Sequence, residues 1–247
     1  MSAAESAGAD GLDLVEAVRR ALAVHADPDR AAAQQRYMKS ALPYFGVTRP
    51  VLQASLRPIF ADPALMPADG DAWEATIRRL WDGAQHREEW YAALILARHR
   101  SARGWRDSSR LPLWRQLITT GAWWDVVDEI AAHLIGPVLR AESAVVRPVL
   151  WEWASVEDLW LRRTAILASL GAREQTDLGL LTHAITENLE PRLAGTPLAR
   201  EFFIRKAIGW ALRSYAATDP EWVRAFLETH RAELSGLSLR EASKHLG

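Results

Sequence analysis

The stretch "GAWWDVVDEIAAHLI" (121–135) places two tryptophans side by side and an acid one helical turn beyond the second. Neighbours on a helix point about 100° apart, so both indoles cannot belong to one buried stripe. Trp123, Val127, Ile130 and Leu134 follow the spacing of a core stripe. Asp125, Glu129 and Ala132 face elsewhere, as solvated positions do. Trp124, Asp128, Ala131 and Ile135 form a third face that adjoins the core without belonging to it. Two arginines break later apolar stripes. Arg163 lies on the stripe of Leu159, Ile166 and Leu170, and Arg205 on that of Phe202, Gly209 and Leu212. A charge there is costly unless it is paired or reaches an edge. Lys206 and Arg213 flank Arg205, and Trp210 lies one turn after Lys206. Basic groups beside an exposed aromatic suit contact with phosphate and sugar. A plainer arrangement fits the same spacing: Trp124 packed on a neighbouring repeat, Asp128 paired with Arg163, and Trp210 in the core among solvated cations.

Other chemistries lack their residues. There is no Cys, which excludes thiolate catalysis, disulfides and Cys-zinc sites. The seven histidines form no HExxH or other metal set, and no nucleophile elbow, Walker loop or dinucleotide glycine loop occurs. No metal or cofactor is therefore expected. What remains is carboxylate-based chemistry on a polyanionic or cationic substrate.

The elements that must position these residues are helices. Helical periodicity runs through most of the 247 residues, with no run of alternating β-branched residues. Breaks fall at 26–29, 42–50, 61–71, 103–112, 169–177, 189–197, 217–220 and 234–238, where Gly, Pro, Asp and Ser cluster. About a dozen helices of moderate length are expected between them. Segments opening at 88, 123, 158 and 201 resemble one another, each passing from an aromatic into an Ala/Ile/Leu helix. Asp128 and Arg163 are 35 residues apart, and Arg163 and Arg205 are 42. An all-helical period near 35–40 predicts an α-solenoid of stacked antiparallel helix pairs of the HEAT-like kind, with a concave binding face. Ala93, Asp128, Arg163 and Arg205 then share one register along that face.

Composition agrees with an ordinary globular protein: 49% hydrophobic, 25% charged, net charge −1. With so little net charge, nucleic-acid binding requires a local basic face. No apolar run reaches the roughly 20 residues of a membrane span. Residues 1–10 read as a disordered polar tail without signal-peptide features, and 11–247 as a single domain, monomeric and cytoplasmic. Twelve Trp exceed the needs of any one site, so most must serve packing.

"YMKSALPYFGV" (37–47), "WWDVVD" (123–128), "LWLRRTAI" (159–166), "FFIRKAIGWALRSYAATDPEWV" (202–223) and "LSGLSLREASKHL" (234–246) occur in order at compatible spacing. In these blocks the chain resembles the AlkD-type DNA alkylation repair glycosylases, from about residue 30 to the C-terminus. The resemblance implies a bacterial, nucleoid-associated enzyme that excises N3-methyladenine and N7-methylguanine from duplex DNA by cutting the N-glycosidic bond. Some similar proteins act on bulkier adducts and protect producers of DNA-alkylating antibiotics. Trp124 and Asp128 match the family's catalytic Trp and Asp, and Trp210 its second cleft Trp. Arg163 matches a cleft Arg and Tyr37 a Tyr near the cleft. Tyr37, Lys39, Arg163, Arg205 and Lys206 are the expected DNA contacts. The loop at 189–199 is longer than the family pattern.

The chemistry suits those residue types. A purine alkylated at N3 or N7 carries positive charge and leaves without a general acid. A carboxylate can stabilise the oxocarbenium-like sugar and orient water. Indole faces add cation–π stabilisation of about 0.5–2 kcal/mol each. Cations fix register on phosphates without reading bases. The resemblance implies that the base stays stacked, unlike the extrusion general among glycosylases. Two other outcomes remain open at this level: a catalytically silent scaffold binding DNA or protein, and recognition of DNA structure without excision. A carboxylate facing phosphates weakens binding, which favours the enzyme.

Overall fold

A computed structural model describes residues 13–246; the expected tail at 1–10 lies outside them. The described residues contain fifteen α-helices and no strand, as the periodicity predicts. They form two compact units, one ending at Trp105 and one starting at Arg106. No helix among them is long and apolar enough to cross a membrane.

The first unit holds α1 (Leu14–Ala23), α2 (Pro28–Met38), α3 (Arg49–Ala61), α4 (Gly70–Asp82) and α5 (Arg87–Arg98). Its helices start where the sequence places caps. Asp13, Asp27 and Asp69 each accept a backbone N–H of the first turn, and Pro28 and Pro50 sit where a missing N–H costs nothing. Val18, Leu22, Trp73, Ile77, Leu80, Ala93 and Leu96 are fully buried between them. The loop after α2 is held from below. The buried Glu88 carboxylate accepts the N–H groups of Phe45, Gly46 and Val47 at 3.0, 2.9 and 3.1 Å. Gly46 has φ +85°, and a Cβ there would lie 2.2 Å from the Asp27 carbonyl oxygen, so only glycine fits.

The second unit holds α6 (Leu111–Gly121), α7 (Trp124–Ile130), α8 (Gly136–Ala141), α9 (Ser143–Trp153) and α10 (Leu159–Leu167). It continues with α11 (Leu178–Thr186), α12 (Glu190–Leu193), α13 (Phe202–Ala216), α14 (Pro220–Thr229) and α15 (Gly236–Ala242). Its core runs through Trp114, Leu117, Ile130, Leu134, Ile166 and Leu212, all essentially without solvent contact. Helix α10 is central, packing against α6, α7, α9, α11 and α13, while α13 also packs against α14 and α15. The layers α7, α10, α13 and α15 thus follow one another.

Two departures from simple periodicity matter for the site. A π-helical turn, Ala131–Ile135, joins α7 to α8. Pro137 supplies the reason, because it lacks an N–H and its ring crowds the carbonyl four residues earlier. The extra residue shifts the register, and Ala131 and Ile135 are fully buried rather than lying beside the core. The second departure is the helix break at Glu142, where no Gly or Pro announces it. These breaks divide the chain into more and shorter helices than the dozen expected.

Candidate functional site

Helix α7 is preceded by a left-handed residue, Ala122 (φ 38°), and by extended Trp123. Trp123 is therefore the N-cap rather than a member of the helical stripe. Its half-buried indole lies against Trp160, with centroids 6.0 Å apart, and against Phe203 at 5.3 Å. The packing between successive layers expected for Trp123 is present, but it is made by an aromatic cluster at the helix ends. Trp124 opens α7 and is half-buried, with Asp128 one turn later on the same face.

Asp158 caps α10 by accepting the N–H groups of Trp160 and Leu161, both at 2.9 Å. The next turn carries two arginines with different tasks. Arg162 turns outward and donates to the carbonyls of Ser155 (2.7 Å), Ala154 and Glu187 (3.2 Å each) and to Asn188 Oδ1 (3.1 Å). It thereby binds the ends of α9 and α11 to α10. Arg163 turns inward to Asp128, Nε to Oδ1 at 2.7 Å and Nη2 to Oδ2 at 2.9 Å. This two-point geometry holds the carboxylate plane as one hydrogen bond could not. Arg163 Nη1 donates to the Phe203 carbonyl at the start of α13, and the guanidinium carbon lies 5.8 Å from the Phe203 ring. Three layers meet at one ion pair.

The pair is unequally exposed: the Arg163 side chain is 4% accessible and that of Asp128 14%. Burial pushes the Asp128 carboxyl above its ordinary value of 3.8, the Arg163 hydrogen bonds and charge pull against that, and the charge of Asp125 adds to the rise. Asp125, expected as a solvated bystander, is half-buried and acts on the site through its charge. Arg163 was expected on the open face as a phosphate contact. The structure places it beneath that face, as the partner of Asp128.

Helix α13 carries the remaining candidates of this unit. Phe202, expected on the buried stripe, is 51% exposed, and Phe203 takes the inner position against Trp160 (5.1 Å). Arg205, Lys206 and Trp210 are half-buried. Among the described residues Arg205 makes no ion pair, and its buried Nε has no partner. Lys206, by contrast, is bound to Glu241 on α15 at 2.8 Å. Tyr37 and Lys39 belong to the first unit. Tyr37 is 75% exposed near the end of α2, and Lys39 follows as its exposed left-handed C-cap at φ 50°. The structure thus gathers Trp124, Asp128 and Arg163 on α7 and α10, with Arg205, Lys206 and Trp210 on the next layer.

Sequence reasoning missed Phe203 and Glu241. The doublet Phe202–Phe203 repeats the problem posed by Trp123–Trp124, which was its available signal. Glu241 carried none, being one acid in a short polar helix. Among the described residues no group of three or more His, Asp or Glu could hold a metal ion.

A family model for the DNA alkylation repair enzyme matches residues 18–246. The solved structure of a predicted DNA alkylation repair enzyme from Enterococcus faecalis is similar, with a TM-score of 0.75 and 28% identity. The similarity covers 90% of this chain and 97% of that one. A comparison with curated proteins gives no match. On an all-helical scaffold matched over nearly its whole length, the chain belongs to the DNA alkylation repair enzyme family.

Proposed function

We propose that this repair protein is a monofunctional DNA glycosylase that hydrolyses the N-glycosidic bond of positively charged N3- and N7-alkylated purines in duplex DNA. The observation that carries this reading is the state of Asp128. Its carboxylate is fixed in plane by Arg163, keeps 14% exposure, and lies one turn from the half-buried Trp124 on the same helix face. A preoriented carboxylate in a partly dehydrated setting is suited to a sugar that gains positive charge as the bond breaks. The same oxygens can accept a hydrogen bond from the attacking water.

The leaving base already carries its charge, so departure as a neutral purine needs no protonation. Cleavage passes the glycosidic electron pair to the base. Water then adds to C1′ and gives up a proton, leaving a hydroxyl on the abasic sugar. Asp128 stabilises the cationic sugar and receives or relays that proton. Arg163 is a positioning residue, holding the carboxylate while its own charge stays beneath the surface. Trp124 and Trp210 would offer ring faces to the sugar. Arg205, which has no ion pair, would take a backbone phosphate. Tyr37 and Lys39, both exposed, would serve as further DNA contacts. Work at the sugar does not require the base to leave the stack, so an open site would also accept bulkier adducts.

The test is a duplex carrying one N7-methylguanine, incubated with the protein without added metal. The expected products are free N7-methylguanine and one alkali-labile site. Binding without base release would show a DNA-binding scaffold instead.

A further inference from the structure

Helix α15 reaches across α13 with one acid. Glu241 is 5% exposed, yet three cations converge on it: Lys206 Nζ at 2.8 Å and Lys244 Nζ at 2.6 Å on Oε1, and Arg213 Nη1 at 2.9 Å on Oε2. Lys206 and Arg213 are seven residues apart on α13, and Trp210 lies between them on the same stripe at i+4. A single carboxylate therefore braces both sides of the row that presents the indole.

The approach of α15 is specified by other residues. A Cβ on Gly209 would lie 2.5 Å from Glu241 Cβ and 2.9 Å from the Ser238 carbonyl oxygen, so the two helices touch where α13 lacks a side chain. Ser238 Oγ donates to the Arg205 carbonyl at 2.9 Å, fixing α15 one turn before Trp210. The contact is built along its length. It is also asymmetric in charge, because Lys206 and Arg213 are paired with Glu241 while Arg205, their neighbour, has no ion pair among the described residues.

We propose that Glu241 is a positioning residue of the glycosylase site, which fixes Trp210 by clamping Lys206 and Arg213 and confines the free positive charge of α13 to Arg205. The proposal rests on Trp210 serving the reaction. A carboxylate placed among cations of a DNA-facing helix weakens nonspecific attraction to phosphate. In exchange the indole is held in one geometry, and small displacements of a positioning group can cost large factors in rate. With no cysteine in the chain and no strand among the described residues, Trp210 has no disulfide or sheet beside it, so ionic bracing takes that place.

The experiment compares wild type, Glu241→Gln and Glu241→Asp in single-turnover excision of N7-methylguanine and in binding of undamaged duplex across salt concentrations. For Glu241→Gln we expect excision slowed about tenfold, with duplex binding equal or tighter and a steeper salt dependence, because one compensating charge is gone. Glu241→Asp should recover part of the rate. In a Lys206→Met/Arg213→Met background, Glu241→Gln should have little further effect, since the residue acts through those cations. An unchanged rate, or full additivity in that background, overturns the proposal. Should Glu241→Gln fail to fold, Gly209→Ala pushes α15 off by its Cβ and should give the same split between rate and binding; a normal rate in that folded variant also overturns it. Absence of excision by wild type would instead defeat the glycosylase reading, and tighter duplex binding by Glu241→Gln would still establish the charge compensation.

Discussion

Asp128 and Glu241 are two poorly exposed carboxylates of the same helical unit, and their surroundings push them in opposite directions. Glu241 receives three cations and lies well below its ordinary value, at about 2. The hydrogen bonds from Lys206 and Lys244 are the main cause, and they outweigh its burial. Asp128 receives one cation and lies above its ordinary value, because burial outweighs Arg163. Compensated burial makes an inert fastener, whereas under-compensated burial makes a carboxylate ready to meet new positive charge. In the proposed reaction, an alkylated nucleotide on its way to an oxocarbenium ion brings that charge.

The strongest way to break the contrast is Asp128→Asn, which keeps the shape and removes the charge. Base release should fall by about 10²–10³ or more, while duplex binding is equal or tighter, as measured by single-turnover assay and titration. Weaker binding would instead make Asp128 an acid that holds the fold. Next is Arg163→Met, which strands Asp128. Breaking a fully buried pair costs about 3–5 kcal/mol. Asp128 keeps 14% exposure, so a loss of about 2–3 kcal/mol is expected in denaturant unfolding, with the Asp128 carboxyl driven higher still.

The pH dependence separates the two acids by sign. Asp128 must be ionised to act, and its raised carboxyl is protonated first as pH falls. The acid limb of the excision profile should therefore lie above 3.8 and move further up in Arg163→Met. Folding energetics respond in the opposite sense: ionised Asp128 costs stability, and that cost is relieved on acidification through its raised value. Glu241 has a depressed folded value. Its contribution is present in full above 4.5 and is lost as pH falls toward about 2. Acid titration of unfolding should show wild type losing more stability over that window than Glu241→Gln. The smallest effect is that of Arg205→Gln. If Arg205 alone on α13 is free for phosphate, the logarithmic salt slope of binding should fall by about 1, with excision of bound substrate nearly unchanged.

The sequence announced the helices through their punctuation. Asp27 with Pro28, Asp69, Asp158, Asp177 and Asp219 with Pro220 all cap helices, because a short acidic side chain satisfies orphan N–H groups locally. The pairing of Asp128 with Arg163 was legible as one of two readings, since a shared register on adjacent helices puts opposite charges together. Which reading held for Arg163 depended on depth: it is buried, and the Phe203 carbonyl accepts from its third nitrogen, Nη1. Phe202 left the buried stripe for a related reason, as a helix doublet offers only one ring to the inside and sequence spacing did not say which.

Amino-acid order alone therefore determined the all-helical class, the positions of most helix ends and the face shared by Trp124 and Asp128. These follow from periodicity and capping, which act within a few residues. Tertiary structure decided the burial of Ala131 and Ile135, the depth of Arg163, and the capture of Lys206 and Arg213 by Glu241. Those outcomes depend on which distant groups meet and how much water they lose. Desolvation and charge compensation belong to the packed molecule, and they set the two carboxylates apart.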